Sequence, residues 1–250
     1  MKKKLGLLSS LIVLVIMMAG CAGNKKSKDE ISAKQAAREY IDYVVYNKEA
    51  KDFDKHFENP KKLKELSDST TVYIEGYKRT FNGFVPEMTE DEGNKIIESV
   101  KKQLAEKTKY EIVSVKEDEK EHKSTVTFKL TGLNEEDAVK TGLTNWKNAI
   151  LQDIEITTDR AKMNGILKDE LTKTYENLST IESNKQEKVV FTNMAGKWVI
   201  EIDQSEPMDN VISTLVQGEP TKELSTSLTK ENDAAVAEIN KAVADYNAQQ

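Results

Sequence analysis

The chain has 250 residues, with 37 Lys and Arg against 43 Asp and Glu, a formal net charge of −6 and one cysteine. That acidity argues against nucleic acid as a partner and against a folded face that binds anionic lipid broadly. A single cysteine excludes a disulfide framework, and the only histidines, His56 and His122, lack the spacing of a zinc helix or of a Ser-His relay.

Residues 1–20 fall into three zones: a basic start at Lys2, Lys3 and Lys4, an apolar stretch from Leu5 to Met18, and the small residues Ala19 and Gly20 before Cys21. That is the layout of an export signal. Its uninterrupted apolar run, Leu11 to Ala19, is much shorter than the ~20 residues a membrane-spanning helix needs, so no permanent transmembrane anchor is expected. The segment Met18-Ala19-Gly20-Cys21 resembles the lipobox of bacterial lipoproteins, with Met18 where Leu is usual. The resemblance implies that Cys21 is lipidated with acyl chains such as palmitate. It then begins a mature chain held at the outer face of the cytoplasmic membrane. Three lysines and no acidic residue leave with the signal, which takes the net charge from −6 to −9. Residues 22–30 are polar and aperiodic, a tether of about 30 Å when extended, in which Lys25, Lys26 and Lys28 read as solvated.

The body then begins with Ser32 and Gln35, a capping box, ahead of Ala36, Ala37, Tyr40, Ile41, Val44 and Val45 at helical spacing. Short helical pieces are predicted over 52–57, 60–66 and 71–81, with a break from Gly83 to Pro86. A second capping box, Thr89 with Glu92, opens a helix carrying Ile96, Ile97, Val100 and Leu104. From Tyr110 the period changes to two: Tyr110, Ile112 and Ser114 take one face and Val113 and Val115 the other. A charged turn over 117–123 leads to a second strand with Val126, Phe128 and Leu130.

Two further helices are predicted, one after Asn134 with Ala138, Val139, Leu143, Trp146 and Ile150, and one after Asp159 with Met163, Ile166, Leu167, Leu171, Tyr175 and Leu178. Val189 and Phe191, a turn from Asn193 to Gly196, and Trp198, Ile200 and Ile202 give a hairpin. A helix over 208–216 ends at Gly218 and Pro220, and Val236, Ile239, Val243 and Tyr246 mark a last amphipathic helix expected to dock on the body. The chain thus divides into a signal at 1–20, a tether at 21–30, an α+β body at 31–205 and a helical extension at 206–250.

The order of these elements, and the hairpin from Val189 to Ile202 with Gly196-Lys197-Trp198 at its turn, resemble the nuclear-transport-factor-2-like or cystatin-like domains of Gram-positive lipoproteins. Tyr40 to Phe57 is similar to their first helix and the piece after it. The resemblance covers about 32–203 and implies N-terminal helices packed on a curved antiparallel sheet of about four strands, with additional helices inserted and at the C-terminus. The helical pair between Asn134 and Leu178 departs from the compact pattern. The resemblance brings no catalytic residue, since similar folds serve many functions.

Chemistry is sparse. No glycine-rich phosphate loop or nucleophile elbow occurs, and the acidic runs Glu90-Asp91-Glu92 and Glu135-Glu136-Asp137 fall at helix starts, where the helix dipole favours them. The better lead is aromatic: Tyr110, Phe128, Trp146 and Trp198 are candidates to line an apolar cavity against the sheet. The expected function is a non-enzymatic envelope module, without cofactor or metal, that binds a peptide, a small apolar ligand or another envelope protein. Two alternatives stand beside it. One is a cofactor-free enzyme with a buried carboxylate, and the other a signal-derived peptide pheromone from Leu14 to Gly20.

Overall fold

The computed structural model describes residues 30–48, 51–58 and 88–249. The signal, Cys21, the tether up to residue 29 and the helices expected over 60–66 and 71–81 lie outside the described residues. Ser32 caps α1 (Ala33–Val44): its hydroxyl accepts from the Gln35 N–H, while the Gln35 side chain accepts from the Ser32 N–H. The face so aligned, Ala36, Ala37, Tyr40, Ile41 and Val44, is buried. A single turn, α2 (Phe53–His56), stacks Phe53 on Tyr43 and on Phe57, and the Thr89–Glu92 box then starts α3 (Glu90–Lys107).

Two long antiparallel strands follow, β1 (Lys109–Asp118) and β2 (Lys123–Leu133). The simple alternation expected in β1 does not hold. A bulge shifts the register between Ile112 and Ser114, so Val115 pairs with Val126 and turns to the same packed side as Tyr110 and Ile112, leaving Val113 exposed. Farther along, β4 (Glu187–Met194) pairs with β2, and β5 (Lys197–Val199) pairs with β4 through a two-residue turn in which Ala195 and Gly196 have φ of 54° and 88°. The order is β1-β2-β4-β5, and β3 (Thr180–Glu182) adds to the far end of β2. Five antiparallel strands stand among the described residues where about four were expected. The additional one, β3, is three exposed residues with no alternation to read.

Asn134 and Asp159 cap α4 (Glu135–Gln152) and α5 (Arg160–Glu176), accepting from the N–H groups of Asp137 and Lys162. Then come α6 (Ser205–Gln217) and α7 (Thr221–Asn247), completing an α+β fold with seven α-helices among the described residues. The packed face of the sheet meets α1, α3 and α6 around Val126, Phe128, Leu130, Val189 and Phe191. Helix α6 crosses β2 so closely that a Cβ on Gly132 would sit 1.7 Å from the Thr214 carbonyl oxygen. The expected body–extension boundary at 205/206 falls at the first residue of this helix, whose Met208, Val211, Ile212, Leu215 and Val216 belong to the same core as the sheet.

Helix α7 lies parallel to α4. Ser227 bonds to Glu136, Lys140 to Glu231 at 2.9 Å and Lys147 to Glu238 at 2.8 Å, a constant offset of 91 residues. Its buried stripe is Leu224, Leu228, Ala235 and Ile239, while Val236 and Tyr246, expected on the apolar face, are 38% and 36% exposed. The helix starts fifteen residues before the expected stripe, and so its contact face is set by Leu224 and Leu228.

Candidate functional site

The four aromatics singled out in the sequence fill different parts of the core. Tyr110 on β1 meets Phe128 on β2 edge-on at 6.4 Å, and its hydroxyl donates to Asp42 at 3.3 Å. Trp198 on β5 lies at the opposite edge of the sheet, where its indole donates to the Ile31 carbonyl. Trp146 sits in the helical layer, donating to the Met163 carbonyl across α4 and α5. The structure thus brings Tyr110 and Phe128 together and leaves the two tryptophans apart. None of the four lines either of two depressions that described residues form.

The larger depression, about 360 Å³, is a groove between α3 and α5. Buried Ile96 forms part of its floor, Ser99 and Thr172 add hydroxyls, and Lys95, Lys168, Lys173, Glu92, Asp169 and Glu176 alternate in sign along the rims. The Thr89 backbone N–H first, then Lys168 at 3.0 Å and the Thr89 hydroxyl, hold the Glu92 carboxyl down at about 2. The capping box and the groove wall therefore share one carboxylate, which stays ionised at any physiological pH.

The smaller depression, about 160 Å³, is a cleft at the far end of β2, between the β3–β4 loop and the α6–α7 junction. Gly218 caps α6 in the left-handed region, at φ 93°, and Pro220 precedes α7. Glu219 of the junction, Glu136 of α4 and Glu223 of α7 all line this cleft. Burial first, then the charges of Glu136 and Glu223, hold the Glu219 carboxyl above the usual carboxylate range, with Lys185 opposing. A space this small suits a side chain or a few waters rather than a substrate. Nor is it a metal centre, because no group of three or more His, Cys, Asp or Glu among the described residues is placed to hold an ion.

A further carboxyl, Glu135, is 3% exposed and accepts from the Tyr175 hydroxyl at 2.8 Å. Burial pushes it up to about 7, against the lowering effect of the tyrosine bond. It lines neither of these two depressions and is paired with Tyr175 at the base of α4. Of the histidines, His56 lies 2.7 Å from Glu39 and His122 lends its carbonyl to the Asn193 N–H in the β1–β2 turn. Sequence reasoning took Glu135 and Glu136 only as helix-start acids and Glu219 only as part of a break. Glu135 meets Tyr175 and Glu136 meets Ser227, 40 and 91 positions away, and no local spacing carries such pairings.

Among curated proteins, none matches this sequence. A solved structure that resembles it is that of a candidate lipoprotein, ycdA, from Bacillus subtilis, with 14% identity and a TM-score of 0.46 over 75% of this chain. The likeness spans 56% of that protein's chain. A family model described as a domain of unknown function, DUF5105, matches residues 24–217, from inside the tether to the last residue of α6. That match covers well over half of the sequence, and the chain therefore belongs to the DUF5105 family.

Proposed function

We propose that this chain is an extracytoplasmic lipoprotein, anchored through Cys21, whose body is a binding module rather than a catalyst. The groove between α3 and α5 is the proposed site. The observation that carries this reading is the groove's size and lining: about 360 Å³ falls in the range that holds a small ligand or a short peptide segment. Rims of alternating charge over an apolar floor favour a peptide, with its own charges and amides, over a small apolar ligand. The catalytic alternative is less well supported, because the buried carboxyl it needs, Glu135, opens onto neither depression. Helices lying across one face of an antiparallel sheet that closes on Gly196-Lys197-Trp198 support the nuclear-transport-factor-2-like reading of the body.

Two measurements test the proposal. Intact mass of the membrane fraction should give a lipid-shifted chain beginning at Cys21, absent in Cys21→Ser, and an unmodified soluble product would remove the anchor. Thermal shift against a panel of short peptides should find stabilisers of the wild type that fail with Thr172→Tyr, which fills the groove. A panel without stabilisers, or stabilisers indifferent to Thr172→Tyr, would remove the groove as the site.

A further inference from the structure

The sheet has two lateral edges, and the fold treats them differently. At β5 the Glu58 N–H donates to the Trp198 carbonyl and Phe57 bridges to Trp198, so that edge is partly covered. At the other edge β1 has a single strand neighbour among the described residues, β2, and its outer side, ten residues long, has no ladder partner among them. A long open edge pairs with another strand unless something stops it, and the usual guards are lysines and bulges. Strand β1 carries both, but in an order that fits a second β1.

Set against itself in the reverse direction, β1 places Lys109 opposite Asp118, Tyr110 opposite Glu117, Glu111 opposite Lys116 and Ile112 opposite Val115, with Val113 and Ser114 opposite their own copies at the centre. In a strand of strict alternation this register fails, because 109 and 118, or 111 and 116, would point to opposite faces. The bulge removes the obstacle. Lys109, Glu111, Lys116 and Asp118 stand opposite Thr131, Lys129, Thr125 and Lys123 of β2, which alternate residues place on one face. Ile112 and Val115 stand opposite Phe128 and Val126 on the packed face. The extra residue puts Val113 and Ser114 in one row, so each half of β1 turns its side chains to the faces that the other half requires.

We propose that β1 is a homotypic docking edge: two copies of the chain join antiparallel about a two-fold axis at Val113 and Ser114, and the sheet continues across the pair. Lys109 and Asp118 form two ion pairs across the joined strands, and Glu111 and Lys116 form two more. None of these four side chains has an ion-pair partner among the described residues. Val113, 43% exposed, meets its own copy at the axis, with Ile112 and Val115 on the packed side of it. An edge built to repel every strand carries charge of one sign. Here each charge is answered by its opposite in mirror order, which is what a self-complementary two-fold contact needs. A ten-residue strand pair is a small interface, so the association is reversible.

The test is sedimentation velocity of the full mature chain carrying Cys21→Ser. Antiparallel pairing sends the two tethers out at opposite ends of the joined strands, so association is measured without a lipid to impose an orientation. That chain should pass from monomer to dimer between about 10 μM and about 1 mM. Glu111→Lys sets lysine against Lys116 in two rows, and Lys116→Glu sets glutamate against Glu111; each should weaken association on the order of tenfold or more. Mixed in equal amounts, the two variants should associate about as well as the parent chain, because every lysine then faces a glutamate again. The double variant Glu111→Lys/Lys116→Glu should do the same with itself, and circular dichroism should show each variant folded, since Lys116 stands opposite the uncharged Thr125. A parent chain that stays monomeric over this range would overturn the docking edge. So would a dimer indifferent to both reversals, or folded single variants that stay apart when mixed. No β1 residue lines the groove between α3 and α5, so the peptide result and this one are read separately.

Discussion

Glu135 shows how one buried carboxyl can set the pH response of a fold. It occupies the first position of α4, where the unpaired N–H groups and the helix dipole favour an anion, yet it is sealed against the Tyr175 hydroxyl with almost no contact with water. Burial prevails and its carboxyl rises from 4.5 to about 7. A carboxyl that binds its proton more tightly when folded contributes stability below its ordinary range and loses it as pH rises through about 7. Glu135→Gln keeps the shape and the acceptor for Tyr175 but has no charge to bury. The variant should match the wild type in urea unfolding near pH 5 and exceed it at pH 8 by roughly 1–3 kcal/mol. Equal stability at pH 8 would mean that the start of α4 fully compensates the buried charge.

At the level of elements, the tightest constraint is the crossing of α6 over β2. Gly132 leaves room for the Thr214 carbonyl, and an added methyl would have to push against the backbone of α6 and its cap at Gly218, not against a side chain that can turn away. Gly132→Ala should therefore cost about 2–4 kcal/mol in denaturant unfolding, as overpacking that shifts a helix, and a cost below ~0.5 kcal/mol would show that α6 moves freely. Nothing in the sequence marks Gly132 as special, because the residue that needs it stands 82 positions later. What was legible was local. The Ser32 and Thr89 boxes, the Asn134 and Asp159 caps and the Ala195–Gly196 turn each depend on residues within a few positions of one another. What escaped was of two kinds. The bulge at Val113 and the strand β3 are set by pairing with β2, and the groove, the cleft and the parallel α4–α7 pair form only when distant helices meet. The aromatics were recognisable as buried side chains, but not as members of separate parts of the core.

The same topology fixes which end of the described body lies toward the proposed anchor at Cys21. Glu30 is within 3.5 Å of the Asn193 amide, Ile31 is held by Trp198, and Asn193 is bonded to His122, so the chain joins the body where the β1–β2 and β4–β5 turns lie together. The cleft between the β3–β4 loop and the α6–α7 junction is at the other end of β2. Register places Lys123 beside Thr192 at one end and Leu133 beside Thr180 at the other, and a strand of 11 residues spans about 35 Å. On the proposed anchor, residues 22–29 would reach at most about 30 Å, which brings the hairpin turns toward the bilayer and carries the cleft well away from it. In the β1–β2 turn, Lys116, Lys120 and Lys123 are interleaved with Glu117, Asp118, Glu119 and Glu121, so this turn offers no broad basic patch to headgroups. With the lipidated chain in vesicles, a fluorophore at Glu119→Cys should be quenched by headgroup-attached nitroxides several-fold more than one at Asn184→Cys in the β3–β4 loop. Equal quenching at the two positions would mean that the body tumbles freely on its tether, and stronger quenching at Asn184→Cys would place the cleft against the membrane.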